Sequence, residues 1–533
     1  MQKKKYRRAA EYPCGIADFP DLRGRGCVYV DKTDLVYEMA QTKFVFLSRP
    51  RRFGKSLLCS TLKAYFEGRK SLFEGLKIMD LEHDWKQYPV FHFSISMLKD
   101  MPIELMSSGL GFQLRRYEDI YGDPGSDETT PGKRFAGLIQ RARQKTGLPA
   151  VVIIDEYDAP MLTHMHDEEH KAQVRKILQE FYQTLKDCDS DERFVFITGI
   201  TKFSQMSIFS TLNNLSNITM DKCFASICGI TETELHDVFD IDVEMLAEEY
   251  GVSKEEMYAQ LKNKYDGYHF VEKAEDIYNP YSLLRAFFHK KLDSYWFASG
   301  TPTFILEEFK RYNTDILTLD GADAEAEEFD QPTEYMVKPM PLLYQAGYLT
   351  IKDYDPESFT YTLGLPNAEV RGGLMKNILP IVNGTHLEDN LSYATIIRSS
   401  LAKGNYDRAK MALQSFLLSI PCMQQGKDEL KDLAKYEALY QRDLYIFFSG
   451  MSATVQCEVM MATGRVDLVM RMGSKVYVCE FKVSASAKSA IDQIDSKRYF
   501  EPWRAVQRKI VKIGARFDVK DRTLKDWNVE ELD

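Results

Sequence analysis

The chain has 533 residues, of which 44% are hydrophobic and 28% are charged, and its formal net charge at pH 7 is −10. This length predicts about two or three domains, and the acidic balance excludes a protein that coats nucleic acid through a general positive charge, so any contact with DNA or RNA needs a local basic patch. The nine cysteines form no CxxC pair, which indicates neither a zinc ribbon nor a disulfide framework and favours a reducing cytoplasm. No apolar run approaches the ~18 residues of a membrane span, so we expect no membrane partner.

The first predicted elements are a strand, a loop and a helix around the stretch RPRRFGKS. The apolar run 43–48 predicts a strand, and apolar residues at helical spacing predict a helix that ends at Gly68. The loop matches the phosphate-binding pattern Gly, four residues, Gly-Lys-Ser, with Arg49 in place of the first Gly. In this geometry the backbone N–H groups hold phosphates, Lys55 reaches the β and γ oxygens, and the Ser56 hydroxyl ligates Mg²⁺. The alternative is a surface loop in which the sequence GKS occurs by chance.

Three further strands support a nucleotide site. Residues 89–96 and the apolar run AVVIIDEYDAP (150–160) predict two of them, and the second ends in Asp155, a ligand for Mg²⁺, and Glu156, which would polarise the attacking water. The third, over residues 193–204, ends in polar residues where Thr201 could sense the γ-phosphate. The alternative is strand ends with solvent-facing polar groups. The predicted nucleotide-binding residues are Arg49, Pro50, Arg51, Arg52, Phe53, Gly54, Lys55, Ser56, Leu57, Asp155 and Thr201.

Strands alternate with helices in this half of the chain, including an amphipathic helix over residues 170–187. This alternation predicts an α/β fold with a doubly wound parallel sheet. The nearby His164, His166 and His170 have no spacing that places three imidazoles on one face, so we interpret them as a solvated loop and helix start.

A series of motifs along the chain can be considered together. The stretches VDKTDLV, FLSRPRRFGKSLL, VVIIDEYDAP, FITGITKFS, YDGYHF, YNPYSLL, YWFASGTPTFI, LLYQAGYLTI and LGLPNAEVR follow one another along the chain. Together they resemble the bacterial AAA-ATPase-like family that carries a C-terminal PD-(D/E)XK nuclease-superfamily domain. The resemblance implies that Arg49 is a regular feature of the loop, that ATP and Mg²⁺ are cofactors, and that a helical lid follows the sheet.

The middle of the chain, residues 225–370, has apolar residues at helical spacing and is predicted to be mainly helical. The acidic stretch 319–335 has little periodicity and is predicted to be a solvated loop, suited to a hinge. Arg49, Arg51 and Arg52 lie near the phosphates by connectivity. One of them could stabilise charge there, or they could contact the lid or DNA instead.

The C-terminal stretch GRVDLVMRMGSKVYVCEFKV (464–483) predicts a β-hairpin. Residues two apart share a face of a strand, so Asp467 and Glu480 can converge on a divalent cation while Lys482 approaches an activated water or the scissile phosphate. Hard oxygen ligands and a nearby cation are what metal-assisted phosphodiester hydrolysis needs. This arrangement resembles the PD-(D/E)XK signature, although Val466 stands where some members have Pro.

The resemblance also implies two flanking residues, Gln493 after the core strands and Glu437 as a helix-borne acid. The alternative for Glu437 is an exposed helix carboxylate, and Glu458, on the strand before the hairpin, is another acid that could face the site. Residues 508–518 predict the final strand, whose basic residues with Lys497, Arg498 and Arg504 would give a region suited to phosphate.

These patterns predict a P-loop ATPase domain (1–228), a mainly helical lid or connector (229–375) and a small α/β PD-(D/E)XK restriction-endonuclease-like domain (376–533). The predicted catalytic residues are Glu156, Asp467, Glu480, Lys482 and Gln493, and the predicted Mg²⁺ ligands are Ser56, Asp155, Asp467 and Glu480. We expect an ATPase that cleaves DNA or RNA under nucleotide control, or else a nucleotide switch whose nuclease-like domain binds without cutting. A homo-oligomer also stays open, because ATPases of this type often act as rings or dimers.

Overall fold

The computed structural model describes residues 11–202, 214–297, 303–312, 314, 318–331, 336, 338–420, 433–451, 454–473, 475–504, 509–518 and 523–532. It divides into two compact units. Unit 1 comprises residues 1–298 and 318–367, and unit 2 comprises residues 299–317 and 368–533. None of the helices in the described ranges combines the length and apolar character that crossing a membrane requires.

The helices and strands are numbered in chain order. The helices are α1 Phe19–Gly24, α2 Thr33–Met39, α3 Lys55–Phe66, α4 Ile103–Tyr121, α5 Pro131–Thr146, α6 Ala159–Thr163, α7 Glu168–Asp187, α8 Glu232–Tyr250, α9 Lys254–Tyr265, α10 Pro280–His289, α11 Thr303–Tyr312, α12 Ala326–Phe329, α13 Met340–Gln345, α14 Ala368–Asn383, α15 Leu387–Ala402, α16 Tyr406–Ser419, α17 Leu433–Gly450, α18 Ala487–Ser496 and α19 Glu501–Arg504. The strands are β1 Phe44–Ser48, β2 Val90–Ser94, β3 Ala150–Asp155, β4 Glu192–Gly199, β5 Ser216–Asn217, β6 Ile230–Thr231, β7 Ile277–Tyr278, β8 Ala322–Ala324, β9 Thr350–Asp355, β10 Thr360–Gly364, β11 Thr454–Met461, β12 Gly464–Met472, β13 Lys475–Lys482, β14 Lys509–Asp518 and β15 Thr523–Leu532.

Unit 1 is built on a five-stranded sheet in the order β2-β3-β4-β1-β5, with every neighbouring pair parallel. All residues of β1 and β3 are buried, because helices cover both faces of a parallel sheet and its strands become continuous apolar runs. The parallel direction brings Ser48, Asp155 and Gly199 to the same edge, where ligands bind in folds of this class. The α/β fold predicted from the sequence is confirmed.

The middle of the chain is less helical than its pattern predicts. Helices α8 to α10 share a core with Val28, and α8 begins with a capping box between Thr231 and Glu234. A three-stranded antiparallel sheet, in the order β8-β10-β9, follows them. The loop predicted over residues 319–335 is therefore wrong in part, because β8 and α12 lie within it. The reason is Phe329, which is fully buried and packs edge-on against two tyrosines that follow in the sequence.

Unit 2 contains a five-stranded mixed sheet in the order β11-β12-β13-β14-β15. The predicted hairpin is formed by β12 and β13, which pair antiparallel, and β14 then pairs parallel with β13 after the crossover helix α18. The prediction that residues 508–518 form the final strand is wrong, because β15 pairs antiparallel with β14 and ends the sheet. Most residues of β15 are only partly buried, so the apolar signal of this edge strand is weak.

Candidate active sites

The RPRRFGKS loop joins β1 to α3 and closes around the ammonium group of Lys55. Gly54 has a φ of 93°, in the left-handed region that glycine adopts without strain, and α3 begins at the next residue. The Lys55 ammonium donates to the carbonyl oxygens of Arg49 at 2.8 Å and Pro50 at 2.9 Å. Burial lowers the pKa of Lys55, and the carboxylates of Asp155 and Asp158 oppose that shift. The loop therefore has the strand, turn and helix start of a phosphate-binding loop, and its backbone carbonyls hold the ammonium of its lysine.

Arg49, at the position of the missing glycine, directs its side chain into the protein. It is only 1% exposed, and its guanidinium donates to the carbonyls of Ser48 at 3.0 Å and Thr219 at 2.8 Å. Its guanidinium carbon lies 4.2 Å from the ring centroid of Phe270. The side chain thus joins the loop to the segment after β5. The sequence left two roles open for this arginine, and these bonds fit a contact with protein rather than charge stabilisation at the phosphates.

The rest of the loop is anchored by aromatic residues from the later motifs. Phe53 is buried and packs edge-on against Tyr268, with ring centroids 4.7 Å apart. Arg52 stacks over the ring of Tyr281, and the carbonyl of Arg51 accepts a hydrogen bond from the indole of Trp296. The motifs that carry the resemblance therefore pack around the loop.

The carboxylate of Asp155, at the end of β3, faces the start of α3. Asp155 is 5% exposed, and burial raises its pKa, while a hydrogen bond from Ser56 and the charge of Lys55 lower it. Glu156 follows with a φ of 52°, which is uncommon for a residue with a side chain. The structure thus brings together Lys55, Ser56 and Asp155, and places Glu156 at the strand end beside them.

Asp158 was missed by the sequence reasoning. Its Oδ2 accepts hydrogen bonds from the backbone N–H of Ile200 at 3.0 Å and of Thr201 at 2.7 Å, and from the Thr201 hydroxyl at 2.7 Å. Gly199 makes room for it, because a Cβ there would lie 2.4 Å from Asp158 Oδ1. Asp158 therefore positions the predicted sensor Thr201. Its only signal in the sequence was its place three residues after Asp155.

Two other polar residues at the end of β4, Thr198 and Lys202, have structural partners. The Thr198 hydroxyl donates to the carbonyl of Leu47 at 2.6 Å, which joins β4 to β1. The ammonium of Lys202 forms an ion pair with Asp330, and its backbone N–H donates to Gln345 at 2.7 Å. Of the polar cluster predicted at this strand end, Thr201 is the residue directed to Asp158.

A cavity lies beside the loop and the first turns of α3. Most of its lining side chains are apolar. They include Val28, Val30, Leu57, Leu58, Ile227 and Phe239. Lys32 also lines it, with its ammonium 2.5 Å from Glu234. Leu57 was predicted as part of the nucleotide site, but the sequence could not predict the cavity itself, because its walls come from four distant segments.

In unit 2 the hairpin brings the predicted catalytic residues together. The antiparallel register pairs Leu468 with Cys479. The next residues of the two strands, Asp467 and Glu480, therefore lie opposite each other. Asp467 is 7% exposed and Glu480 is 2% exposed, and Oδ2 of Asp467 accepts from the backbone N–H of Phe481 at 2.7 Å. Two buried carboxylates on adjacent strands offer the oxygen donors that Mg²⁺ prefers.

Glu480 is the centre of the contacts in this site. Its Oε1 accepts from the ammonium of Lys482 at 3.0 Å and from the side-chain amide of Gln493, on α18. The strand places Glu480 and Lys482 two residues apart on one face, and α18 brings Gln493 over it. The structure therefore brings Glu480, Lys482 and Gln493 into contact, with Asp467 opposite.

The structure describes one of the two acids named near this site. The side chain of Glu437 in α17 lies outside the described residues. Glu458 has a φ of 53° and forms an ion pair with Arg465, so its carboxylate already has a cationic partner.

The predicted basic region is partly neutralised. Arg498 and Arg504 both contact Glu501, at 3.0 Å and 3.5 Å. Lys512 is buried between Asp495 at 2.8 Å and Glu530 at 2.5 Å. Lys497 is exposed. A positive surface made by all these residues together is therefore wrong, because acidic neighbours follow them in the sequence and in the sheet.

Comparison with known proteins gives two family matches. Residues 13–209 match the AAA-ATPase-like family, described as a predicted AAA-ATPase, and residues 435–527 match the PD-(D/E)XK nuclease superfamily. The resemblance stated from the motifs is confirmed.

One relative matches nearly end to end. It is an uncharacterized protein in the vnfD 5′ region of Azotobacter chroococcum mcd 1, 31% identical, and the alignment covers 98% of this chain and 99% of that protein. Among solved structures, the Aeropyrum pernix ORC1 protein in complex with DNA is 10% identical, with 65% of this chain and 93% of that chain covered and a TM-score of 0.21. That TM-score is too low for the likeness to support any statement about this chain.

Proposed function

Because the chain belongs to the AAA-ATPase-like family and carries a C-terminal domain of the PD-(D/E)XK nuclease superfamily, we propose that it hydrolyses ATP in unit 1 and cleaves nucleic acid phosphodiester bonds in unit 2. Both activities require Mg²⁺ in this proposal, and the nucleotide state controls cleavage. The observation that carries it is that each unit gathers, from distant segments, the side chains that its chemistry needs.

The contacts in unit 1 support ATP hydrolysis. Mg²⁺ bound there would draw charge from the β- and γ-phosphates. The oxygen donors fit this ion, because the Ser56 hydroxyl and the Asp155 carboxylate are hydrogen-bonded to each other at the loop. Lys55 binds the phosphates, Glu156 orients the attacking water, and Thr201, positioned by Asp158, contacts the γ-phosphate.

The cavity beside α3 supports a nucleotide as the ligand. It adjoins the phosphate-binding loop at Gly54 and Leu57 and is lined largely by apolar side chains, which suits a planar base. An adenine ring would lie between Leu57 and the segments that carry Val28 and Ile227, while the phosphates lie along the loop.

The contacts of Glu480 support hydrolysis in unit 2. Mg²⁺ held by Asp467 and Glu480 would lower the pKa of a bound water and polarise the phosphate. Lys482 would orient that water and neutralise charge that develops on the phosphate, and Gln493 holds the Glu480 carboxylate in place. The substrate is DNA or RNA, and the chain acts in the cytoplasm.

The ATPase half is tested by steady-state hydrolysis with Lys55→Ala and Glu156→Gln. We expect each variant to lose about a hundredfold or more in rate, since charge stabilisation and water positioning supply effects of that size. Lys133→Ala, at an exposed lysine of the same unit, is the matched control and should hydrolyse ATP like the parent. Parent-like rates in both loop variants would contradict the nucleotide site.

The nuclease half is tested by incubating labelled DNA and RNA with the full chain and Mg²⁺ or Mn²⁺. We expect cleavage that Lys482→Ala reduces about a hundredfold or more and that Lys403→Ala, at an exposed lysine of the same unit, leaves unchanged. Tight binding without cutting under either metal would contradict the nuclease and support a nucleotide switch.

A further inference from the structure

Three side chains of metal-ligating types meet at Asp155, beside the proposed ATP site. Ligand atoms of Cys59, His92 and Asp155 lie within 4.8 Å of one another. Among the residues that the structure describes, this is the one group of three or more His, Cys, Asp or Glu side chains that meet so closely. Neither the phosphate-binding loop nor the carboxylates at the end of β3 require a thiol and an imidazole at this place.

Three elements position these residues. Cys59 lies on α3 three residues after Ser56, and residues three apart share a helix face, so both are directed to β3. His92 and Asp155 lie on the neighbouring parallel strands β2 and β3, and the register places them on the same face of the sheet. The backbone of His92 is held by Tyr117, whose hydroxyl accepts from its N–H at 2.7 Å and donates to its carbonyl at 3.0 Å.

Two polar atoms of these three residues are buried and unsatisfied. Nε2 of His92 and Oδ1 of Asp155 have no hydrogen-bond partner in the described ranges. Each such group costs about 1–3 kcal/mol when it is left unpaired. Asp155 is 95% buried as a whole, since only 5% of it is exposed, and Cys59 is fully buried. A cation bound through these two atoms would satisfy both at once.

We propose that Cys59, His92 and Asp155 bind a borderline-soft divalent cation of the Zn²⁺ class, with a fourth position open to water. Thiolate, imidazole and carboxylate are the three ligand types that Zn²⁺ takes, whereas Mg²⁺ takes oxygen ligands. In tetrahedral coordination the ligand atoms lie roughly 3.5 Å apart. Side-chain rotations that move these atoms by about 1 Å therefore complete the site. The sulfur binds as the thiolate, and the thiol proton passes to solvent.

The site shares Asp155 with the proposed ATP site. A cation bound to Cys59, His92 and Asp155 withdraws that carboxylate from Mg²⁺ and adds positive charge beside it. Zn²⁺ and Mg²⁺ with ATP therefore weaken each other's binding, and Zn²⁺ inhibits hydrolysis. This consequence rests on the proposed function, whereas the binding of the cation does not.

Titration of the full chain with Co²⁺ tests the site without any catalysis. We expect a thiolate-to-cobalt charge-transfer absorption at one equivalent, which Zn²⁺ then displaces. Cys59→Ser should abolish this absorption and weaken Zn²⁺ binding roughly tenfold or more, and His92→Gln should weaken it similarly. Cys188→Ser, at another buried cysteine of unit 1, is the matched control and should titrate like the parent.

A measurement on the unaltered chain keeps the proposal testable if a variant does not fold. Zn²⁺ at a stoichiometric excess should raise the thermal midpoint of the parent, whereas the same concentration of Mg²⁺ without nucleotide should not match that rise. Co²⁺ binding without a charge-transfer absorption, equal Zn²⁺ affinity in the parent and Cys59→Ser, or no Zn²⁺-dependent rise in the parent would each overturn the site. If neither the parent nor any variant hydrolyses ATP, only the proposed function is overturned.

Discussion

Glu192 is a buried carboxyl group at the start of β4, and it should make the stability of unit 1 depend on pH. It is 4% exposed, and both of its oxygens have no hydrogen-bond partner among the described residues. Burial raises the pKa of Glu192 to about 9. The charge of Lys43 opposes this rise, and Asp189 and Asp191 add to it. The folded chain therefore keeps this proton across the neutral range.

The sign of the effect follows from the unfolded chain. There the carboxyl ionises near its ordinary pKa of 4.5, so above that pH the folded state binds one more proton than the unfolded state. The stabilising contribution of the neutral carboxyl is complete below pH 4.5 and is lost as the pH rises towards 9. The loss is at most about 1.4 kcal/mol per pH unit, which makes roughly 2–3 kcal/mol between pH 6 and pH 8.

The substitution Glu192→Gln removes the titration and keeps the shape of the side chain. Calorimetric unfolding at pH 6, 7 and 8 should show that the parent loses stability relative to this variant as the pH rises. Glu169→Gln, at an exposed glutamate, controls for the change in net charge and should follow the parent. If parent and Glu192→Gln change in parallel with pH, then Glu192 is not a neutral buried acid.

Two further substitutions test how the ATP site is supported. Asp158→Asn keeps the shape of the side chain but makes the acceptor of Thr201 neutral. Hydrogen bonds to charged groups are stronger by about 1 kcal/mol, so kcat for ATP should fall roughly fivefold with little change in ATP affinity. An equal loss in affinity would contradict a positioning role. Gly347→Ala puts a Cβ 2.6 Å from that of Pro50 at a φ of +87°, whereas Gly147→Ala has a φ of +72° and no described atom within 4 Å. Denaturant unfolding should show that Gly347→Ala loses about 1–3 kcal/mol more free energy of unfolding than Gly147→Ala does. Gly347→Ala should also bind ATP more weakly. Equal losses of free energy in the two variants would contradict the contact with Pro50.

The elements with the strongest apolar patterns could be predicted from the sequence. Strands β1, β3 and β4 lie within or close to their predicted runs, because burial on both faces leaves a continuous apolar signal. The β12 and β13 hairpin was also predictable, since alternation and a Gly-Ser turn coincide there. Strand β15 and the sheet of β8 to β10 were not, because short or half-exposed strands carry little periodicity.

The site residues also differ in whether the sequence could predict their positions. Residues adjacent to a motif, such as Lys55, Ser56 and Asp155, could be proposed from spacing alone. The inward direction of Arg49 could not, because its partners Thr219 and Phe270 lie far along the chain.

The group of Cys59, His92 and Asp155 shows the same limit. Its ligands come from a helix and two strands, so no short spacing indicates a metal site, and the scattered cysteines suggested none. Only the fold brings these residues together.

The proposed function depends most on control of the hydrolytic site in unit 2 by the nucleotide in unit 1. The direct measurement is the rate of nucleic acid cleavage with Mg²⁺ and no nucleotide, ATP, or a non-hydrolysable analogue, in the parent and in Lys55→Ala. We predict that the parent changes its cleavage rate with nucleotide state and that Lys55→Ala cleaves at one nucleotide-independent rate. Cleavage by the parent at the same rate under all three conditions, or no cleavage at all, would contradict it.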